Sequence, residues 1–315
     1  MNTMTKTSTA TPAAMPRLPL PVIVLALLAL VASLGLAVPG DDEWWKVIIL
    51  GVVQGITEWL PISSTGHLLI TSRLLNYQGS IGGTFEIFIQ FGTVLSVVAF
   101  YLTDLLGQAR ALLGQDSPEA QRAARRLWLG ILIAMIPAGV IGLFARDFVK
   151  AVLFETPAVI ATALIFGGVI FLFIERMPPR SEPTTDLHAI SPKQALGIGV
   201  AQVFALIPGM SRSGSTIVGG LLAGLDRRTA TAFSFYLAMP VLGGATLVDL
   251  LASLDEVQPD DWGRLLLGAV VAMIVGYLTI GWLLQYLARN SFFAFGIYRI
   301  LAGILIFGLV AMGIL

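Results

Sequence analysis

The chain has 315 residues, of which 56% are hydrophobic and 12% are charged, and its formal net charge at pH 7 is zero. A soluble domain carries about 25% charged residues, so this composition, arranged in long apolar runs, predicts an integral membrane protein. The charge balance argues against a nucleic-acid partner. The chain has no cysteine and two histidines, which excludes disulfides and thiolate catalysis and leaves too few ligands for a multi-histidine metal site.

The N-terminal region divides into two parts. Residues 1–19 are polar and rich in Ser, Thr and Pro, which predicts a disordered tail. Residues 20–38 then continue without a charge. This apolar run could be a signal peptide, but it is long for one and lacks an obvious A-x-A cleavage site. We therefore predict an extra N-terminal transmembrane helix.

The rest of the chain is organised as further apolar runs. Six more charge-poor runs have spanning length, at 87–103, 127–144, 157–174, 230–248, 265–288 and 294–315. Together with 20–38 they give seven predicted transmembrane helices. Two other apolar stretches, 44–75 and 194–225, are each interrupted by a polar turn that contains Pro and Gly. Neither half reaches the roughly 20 residues of a full crossing. Because irregular backbone at membrane depth survives only in protein or in a wet cavity, both stretches predict re-entrant helical hairpins in an all-α polytopic fold.

Loop charges are consistent with this topology under the positive-inside rule. A cytoplasmic N-terminus, with Lys6 and Arg17, places the acidic group at 41–43 outside. Treating each hairpin as a non-crossing element then places the basic groups at 110–126 and 227–228 inside and the acidic loop at 255–261 outside. The two hairpins therefore enter from opposite faces of the membrane.

The two hairpins also resemble each other in sequence, which divides the chain into halves at 44–174 and 194–315. Gln54 matches Gln202 at a spacing of 148, as Gly66 matches Gly214 and Phe85 matches Phe233, while Pro61 matches Pro208 at 147. The alternative is chance similarity between apolar segments. Matched Gln, Pro and Gly favour an inverted-topology repeat, in which the two polar turns meet near the bilayer midplane.

The first hairpin contains the titratable groups. Gln54 and Glu58 are four residues apart and share one helix face. Pro61 ends the incoming helix, and the turn that follows offers N-caps for the outgoing helix. The predicted site residues of this turn are Ser63, Ser64, Thr65, Gly66 and His67.

The second hairpin contains groups suited to an anion. Gly209 permits a tight turn, and helix N-termini favour phosphate. Arg212 adds a planar fork that matches phosphate oxygens. The other predicted binding residues here are Ser211, Ser213, Gly214 and Thr216.

These residues leave several interpretations open. Glu58 could bind a divalent cation that bridges phosphate oxygens, and either Ser64 or His67 could be the nucleophile on phosphorus. The hydroxyl residues could only cap helices, and Glu58 with Arg212 could be a structural ion pair. Glu86 and Gln90 could support the site or only pack helices.

The motifs in both hairpins resemble a known family. The chain resembles the undecaprenyl-diphosphate phosphatases, the bacitracin-resistance family of bacterial inner-membrane enzymes. That family has an (E/Q)-x-x-x-E motif followed by P-x-SSTGH, and later PG-x-SRSG-x-T. Here these motifs stand at 54–58, 61–67 and 208–216, and the resemblance covers about 44–315.

The resemblance implies hydrolysis of a C55 isoprenyl diphosphate to the monophosphate, which recycles the carrier lipid for peptidoglycan synthesis. It implies a multi-pass protein of the inner membrane and a divalent cation, Mg or Ca, as cofactor. By the motif match, catalytic roles fall on Glu58, Ser64, His67 and Arg212, and phosphate binding falls on Ser211, Ser213 and Thr216. Gln54 occupies a position that is often Glu, which weakens a scheme with two metal-binding carboxylates.

Our leading hypothesis is a diphosphate hydrolase whose site opens to the outer, periplasmic face. In it, Ser64 attacks the terminal phosphorus and His67, oriented by Glu58, takes the proton; attack by His67 or by metal-bound water is the alternative. A transporter that flips a polyprenyl phosphate or another anionic lipid is the competing function, because inverted repeats with broken helices are typical of transporters. The sequence leaves a homodimer open.

Overall fold

The structure is a computed structural model that describes residues 20–36, 43–77, 84–148, 153, 156–178 and 180–315. The predicted tail at 1–19 lies outside these residues, as does part of the acidic group at 41–43. The described residues form twelve α-helices and a few 3-10 turns, which confirms the all-α fold. The helices are α1 Leu20–Gly35, α2 Trp44–Trp59, α3 Ser64–Leu74, α4 Thr84–Phe100, α5 Leu102–Leu112, α6 Pro118–Phe148, α7 Pro157–Glu175, α8 Pro192–Gln202, α9 Arg212–Leu222, α10 Arg227–Ser253, α11 Trp262–Leu287 and α12 Phe293–Ala311.

Five of the described helices are long and apolar enough to cross a membrane, namely α6, α7, α10, α11 and α12. A sixth crossing results if α4 and α5, which meet at a bend of 70°, count as one span. These helices are consistent with the predicted polytopic membrane protein. The seventh predicted span stays a prediction: α1 has 16 residues, short of the roughly 20 of a full crossing, and residues 37 and 38 lie outside the described part.

Both predicted hairpins are broken helices. The first elbow, residues 60–63, separates α2 from α3, and the second elbow, residues 207–211, follows α8 and a 3-10 turn and precedes α9. The outgoing helices α3 and α9 each have 11 residues. Each is preceded by a serine with positive φ, 73° at Ser63 and 72° at Ser211. That conformation costs about 1–3 kcal/mol in a non-glycine residue, so the surrounding contacts must hold both turns.

The helices of the two halves pack on each other. Helix α2 packs on α11, α8 packs on α6, and α7 runs along α12. Small residues permit the close approach, as is common between helices in membranes: a Cβ added at Gly55 would lie 2.8 Å from Val275, and one at Gly199 would lie 2.5 Å from the carbonyl oxygen of Ala134. Helix α1 packs on α11 at the edge of this bundle.

Arg299 of α12 joins the two elbows. Its side chain is 0% exposed, and its guanidinium lies 5.9 Å from the ring centroid of Phe171. The guanidinium donates to five backbone carbonyl groups, those of Pro61 at 3.0 Å, Ala163 at 3.3 Å, Leu164 at 3.4 Å, Gly209 at 3.0 Å and Met210 at 3.0 Å. One side chain therefore satisfies carbonyl groups of both elbows and of α7.

A first prediction concerns the contact of α4 with α11. A Cβ at Gly92 would lie 2.1 Å from the carbonyl oxygen of Ala269, so the helices must separate to accept Gly92→Ala. We expect this variant to lose about 1–3 kcal/mol of stability, although alanine is the better helix former by about 1 kcal/mol. Thermal unfolding in detergent measures the change. Gly107→Ala is the control, because apart from its own helical turn no described residue has an atom within 4 Å of the added Cβ. Equal midpoints for the two variants would contradict the packing argument.

A second prediction concerns Arg299. In Arg299→Lys a single ammonium, with three donors, replaces a fork that serves five carbonyl groups. The carbonyl groups of Ala163 and Leu164 keep their helical N–H partners in α7. The three elbow carbonyl groups have no backbone donor among the described residues, and each one left without a donor costs about 1–3 kcal/mol, so the midpoint of thermal unfolding should fall. Arg122→Lys, at an exposed ion pair with Glu119, should leave it unchanged. An unaltered midpoint in Arg299→Lys would show that the five bonds do not hold the elbows.

Candidate active site

A cavity of about 650 Å³ lies where the two elbows meet; we call it the elbow cavity. Its apolar wall comes from α6 and α10. Its polar wall consists of Glu58, Ser63, Ser64, Thr65, Gln90, Gln202, Ser211, Arg212 and Asp249. Residues about 150 positions apart in sequence therefore share one polar cavity, as the sequence predicts. Gln90 of α4 contributes to the wall, whereas Glu86 does not.

Glu58 is the centre of the hydrogen-bond network in this cavity. It is 7% exposed, and its Oε1 accepts from Nη2 of Arg212 at 3.1 Å. Its Oε2 accepts from Nε2 of Gln54 at 3.1 Å and from Oγ of Ser64 at 2.8 Å. The shared helix face predicted for Gln54 and Glu58 is confirmed, and one carboxylate connects α2, α3 and α9.

Arg212 begins α9 and is held on two sides. Besides the ion pair with Glu58, its Nη1 donates to the carbonyl oxygen and to Oγ of Ser234, both at 3.3 Å. The guanidinium lies 5.4 Å from the ring centroid of Trp59, within the range of a cation–π interaction. Among the residues that the structure describes, its buried Nε has no hydrogen-bond partner. The ion pair considered as a structural alternative is present, and Arg212 still has an unused N–H donor.

The hydroxyl residues of the second hairpin mainly hold the hairpin together. Ser211 caps α9 by accepting from the backbone N–H of Gly214 at 3.1 Å. Ser213 donates to the carbonyl of Leu60 in the first elbow at 3.1 Å, and Thr216 donates to the carbonyl of Arg212 at 2.9 Å. Of these residues, only Ser211 lines the elbow cavity. Phosphate binding by Ser213 and Thr216 stays a prediction, and their contacts are those of the structural alternative.

The two glycines of the predicted site have different surroundings. Gly209 has a φ of 95°, and a Cβ there would lie 2.5 Å from the carbonyl oxygen of Ile160, which explains the tight turn predicted at this position. Gly66 packs instead against Ile160 and Leu164, each 3.2 Å from an added Cβ. Gly209 lines the elbow cavity and Gly66 does not.

His67 lies on the other side of the first elbow. Its Nδ1 is 2.8 Å from the carbonyl oxygen of Ser63, and its Nε2 is 2.7 Å from the hydroxyl of Tyr298. Its ring stacks on that tyrosine at 5.5 Å, and the residue does not line the elbow cavity. The prediction that Glu58 orients His67 is therefore wrong: the bond to the carbonyl four residues earlier turns the imidazole toward α12, and Ser64 takes the place beside Glu58.

The polar groups do not fit a cation held by protein ligands alone. Within the described residues, no group of three or more His, Cys, Asp or Glu is placed to bind a metal ion. Glu58, the predicted ligand, accepts from Arg212, Gln54 and Ser64, and the neighbouring guanidinium would repel a cation. A carboxylate already neutralised by an ion pair is a weak ligand for a hard divalent cation.

Sequence reasoning missed Arg299, Tyr298 and Gln202. Arg299 is the only charged residue in the run 293–315, and an ionisable residue inside a membrane segment is itself a signal of a built site. Gln202 appeared only as the repeat partner of Gln54. Tyr298 carries no comparable signal, because a tyrosine in an apolar helix is common.

Comparison with known proteins shows the family of this chain. Residues 47–305 match the bacitracin resistance protein BacA family. The chain is 45% identical to an undecaprenyl-diphosphatase of Deinococcus radiodurans over 87% of this chain and 97% of that protein. It is 45% identical to undecaprenyl-diphosphatase 1 of Burkholderia cenocepacia, over 83% and 93% of the two chains, and 43% identical to an undecaprenyl-diphosphatase of Cereibacter sphaeroides, over 84% and 95%. The chain therefore belongs to the bacitracin resistance protein BacA family.

Proposed function

We propose that this protein hydrolyses undecaprenyl diphosphate to undecaprenyl phosphate and inorganic phosphate. The reaction recycles the lipid carrier for peptidoglycan synthesis and confers bacitracin resistance. The observation that carries the proposal is the group formed by Glu58, Ser64 and Arg212 in the elbow cavity. The similarity to proteins named undecaprenyl-diphosphatase supports the substrate.

Ser64 is the nucleophile in this proposal. Its Oγ attacks the terminal phosphorus, the bond from that phosphorus to the bridging oxygen breaks, and undecaprenyl phosphate leaves. Glu58 accepts the serine proton, for which the 2.8 Å hydrogen bond provides the path. Water then hydrolyses the phosphoserine and releases inorganic phosphate. His67 is the weaker alternative, because its imidazole contacts Ser63 and Tyr298 and does not line the cavity; here it supports the turn that positions Ser64.

Positive potential at the reacting phosphate comes from two sources. Arg212 provides a fixed cation, and helices α3 and α9 begin at Ser64 and Arg212, so both N-termini start at the wall of the cavity. Free N–H groups and the positive dipole ends of helices favour phosphate. Groups fixed in this way stabilise charge that develops in the transition state without reorganising. A divalent cation remains part of the proposal, in which it would neutralise charge on the diphosphate, and no step here depends on it.

The repeat supports the placement of the site in the membrane. Helices α3 and α9 each have 11 residues and begin 148 residues apart. The serines with positive φ, Ser63 and Ser211, are also 148 residues apart. Helix α2 of the first half packs on α11 of the second, and its counterpart α8 of the second half packs on α6 of the first. We therefore assign the halves 44–174 and 194–315 to an inverted repeat in the inner membrane, with the hairpins entering from opposite faces and the cavity opening to the periplasmic face. The homodimer stays a prediction.

An apolar path next to the elbow cavity suits the isoprenyl tail. Ile207 lines both the elbow cavity and a second cavity of about 370 Å³, which also contacts Phe166 and Met210. Those two residues in turn line a third cavity of about 350 Å³ between α7 and α9. We place the tail along this path, with the diphosphate at the elbows.

The catalytic proposal predicts the behaviour of Ser64→Ala. Without its nucleophile the protein should lose phosphate release by roughly a thousandfold or more, while still binding the lipid diphosphate, because Arg212 is intact. The measurement is phosphate release from undecaprenyl diphosphate by purified protein in detergent. Ser72→Ala is the control, since Ser72 lies on the same helix and donates only to the carbonyl of Leu69. Full activity in Ser64→Ala would transfer the nucleophile to His67 or to water.

The same assay separates hydrolysis from lipid transport. Detergent removes the two membrane faces between which a transporter works, but leaves a hydrolase active. Phosphate release by the unaltered protein supports the phosphatase. No release with any divalent cation, together with lipid flipping in vesicles, would favour the transporter.

The tail path predicts a chain-length effect for Ile207→Trp. The indole should narrow the passage from the elbow cavity and lower kcat/KM for the C55 diphosphate by about tenfold relative to a C15 diphosphate. A tenfold change corresponds to ~1.4 kcal/mol. Loss of contact with two methylene groups of the tail, at ~0.8 kcal/mol each, is enough to produce it. Leu301→Trp, at an exposed position of α12 that lines none of these cavities, should affect neither substrate. An equal loss for both substrates would place the tail elsewhere.

A further inference from the structure

Gln202 carries a polar group that nothing in the described residues satisfies. It ends α8, is 2% exposed and lines the elbow cavity. Neither its amide oxygen nor its amide nitrogen has a hydrogen-bond partner. A buried amide without a partner lowers the stability of the fold, and such groups are uncommon in native proteins. The amide atoms are buried, but the residue borders the elbow cavity, so a ligand bound there is the candidate for the missing partner.

The repeat explains why this amide is unpaired. Its counterpart Gln54, 148 residues earlier, donates to Glu58 at 3.1 Å. The residue that stands four positions after Gln202 is Leu206, so the second hairpin has no carboxylate at the matching place. The same side chain that supports the acid in the first hairpin is therefore left available in the second.

The chemistry of the cavity indicates which ligand would use this amide. Arg212 also lines the cavity, and its buried Nε likewise lacks an acceptor. Two residues that border the same cavity thus each hold a buried N–H donor without an acceptor, which suits a ligand that has several acceptor oxygens and negative charge. A diphosphate has both properties, and charge-assisted hydrogen bonds to it are stronger than neutral ones.

We propose that Gln202 is a substrate-positioning residue, whose amide N–H₂ donates to a phosphate oxygen of the bound lipid diphosphate. This proposal rests on the phosphatase function proposed above. It assigns the second hairpin a direct contact with the substrate beyond Arg212 and Ser211. A neutral donor binds the anion without competing with Arg212 for Glu58.

Gln202→Met tests the proposal, because methionine has a similar length and no hydrogen-bonding amide. The KM for undecaprenyl diphosphate in detergent should rise about tenfold, which corresponds to one lost hydrogen bond to a charged group at ~1.4 kcal/mol. The midpoint of thermal unfolding without substrate should stay equal or rise, because the variant removes an unpaired buried group. Gln202→Glu should raise KM further, since its carboxylate repels phosphate.

Thr246→Val is the matched control. Thr246 is also 2% exposed and its hydroxyl also lacks a partner, but it does not line the elbow cavity. This variant should gain stability and keep the KM of the unaltered protein. A Gln202→Met protein with unchanged KM, or one whose raised KM accompanies a lowered midpoint, would overturn the positioning role. Absence of phosphate release by the unaltered protein would instead reject the phosphatase function, so the two failures are distinguishable.

Discussion

The site depends on the hydrogen bonds that Arg299 donates to carbonyl groups of both elbows. Each elbow interrupts a helix in an apolar bundle and exposes backbone polar groups that lipid cannot satisfy. Loops of soluble proteins leave such groups to water, whereas here a guanidinium that is 0% exposed takes this role. Its planar fork reaches several carbonyl oxygens at once, which a lysine cannot do.

The bonds from Arg299 also explain how two strained turns persist. Ser63 and Ser211 both have positive φ next to the elbows, and such strain survives only where the surroundings over-determine it. The Ser213 bond to the carbonyl of Leu60 and the Glu58–Arg212 ion pair add two further links between the hairpins. Arg299 therefore binds both elbows through their carbonyl groups, and the Ser213–Leu60 bond and the Glu58–Arg212 ion pair join the two hairpins to each other.

The polar side chains around the elbows differ in how completely they are hydrogen-bonded. Ser213, Thr216 and Arg299 use their polar atoms on the protein itself. Arg212 and Gln202 each keep buried atoms without a partner. Unsatisfied polar groups lower stability, and a binding site is where that loss is offset, since the ligand provides the missing partners. Among the described residues, Ser215 and Thr246 also hold unpaired buried atoms, but they do not line the elbow cavity, so Arg212 and Gln202 are the candidates for contact with a ligand there.

The sequence by itself determined the elements of this protein and the contents of its site. Apolar runs predicted membrane helices, Pro and Gly within polar turns predicted the two breaks, and spaced Gln, Pro and Gly residues predicted the repeat. Glu58, Ser64 and Arg212 could be expected in one cavity because their motifs lie in paired hairpins. Local periodicity and turn chemistry are properties of neighbouring residues, so they can be read without a fold.

Only the tertiary structure decided which of those residues touch. In the structure Ser64, and not His67, is hydrogen-bonded to Glu58, while His67 contacts Tyr298 of α12. Ser213 and Thr216 donate to backbone carbonyl groups of the two hairpins. Arg299 also contacts both elbows, although it lies 238 residues after Pro61 in the sequence. Such contacts depend on how helices distant in sequence pack and on the direction in which each helix end turns its side chains, and no local pattern encodes either.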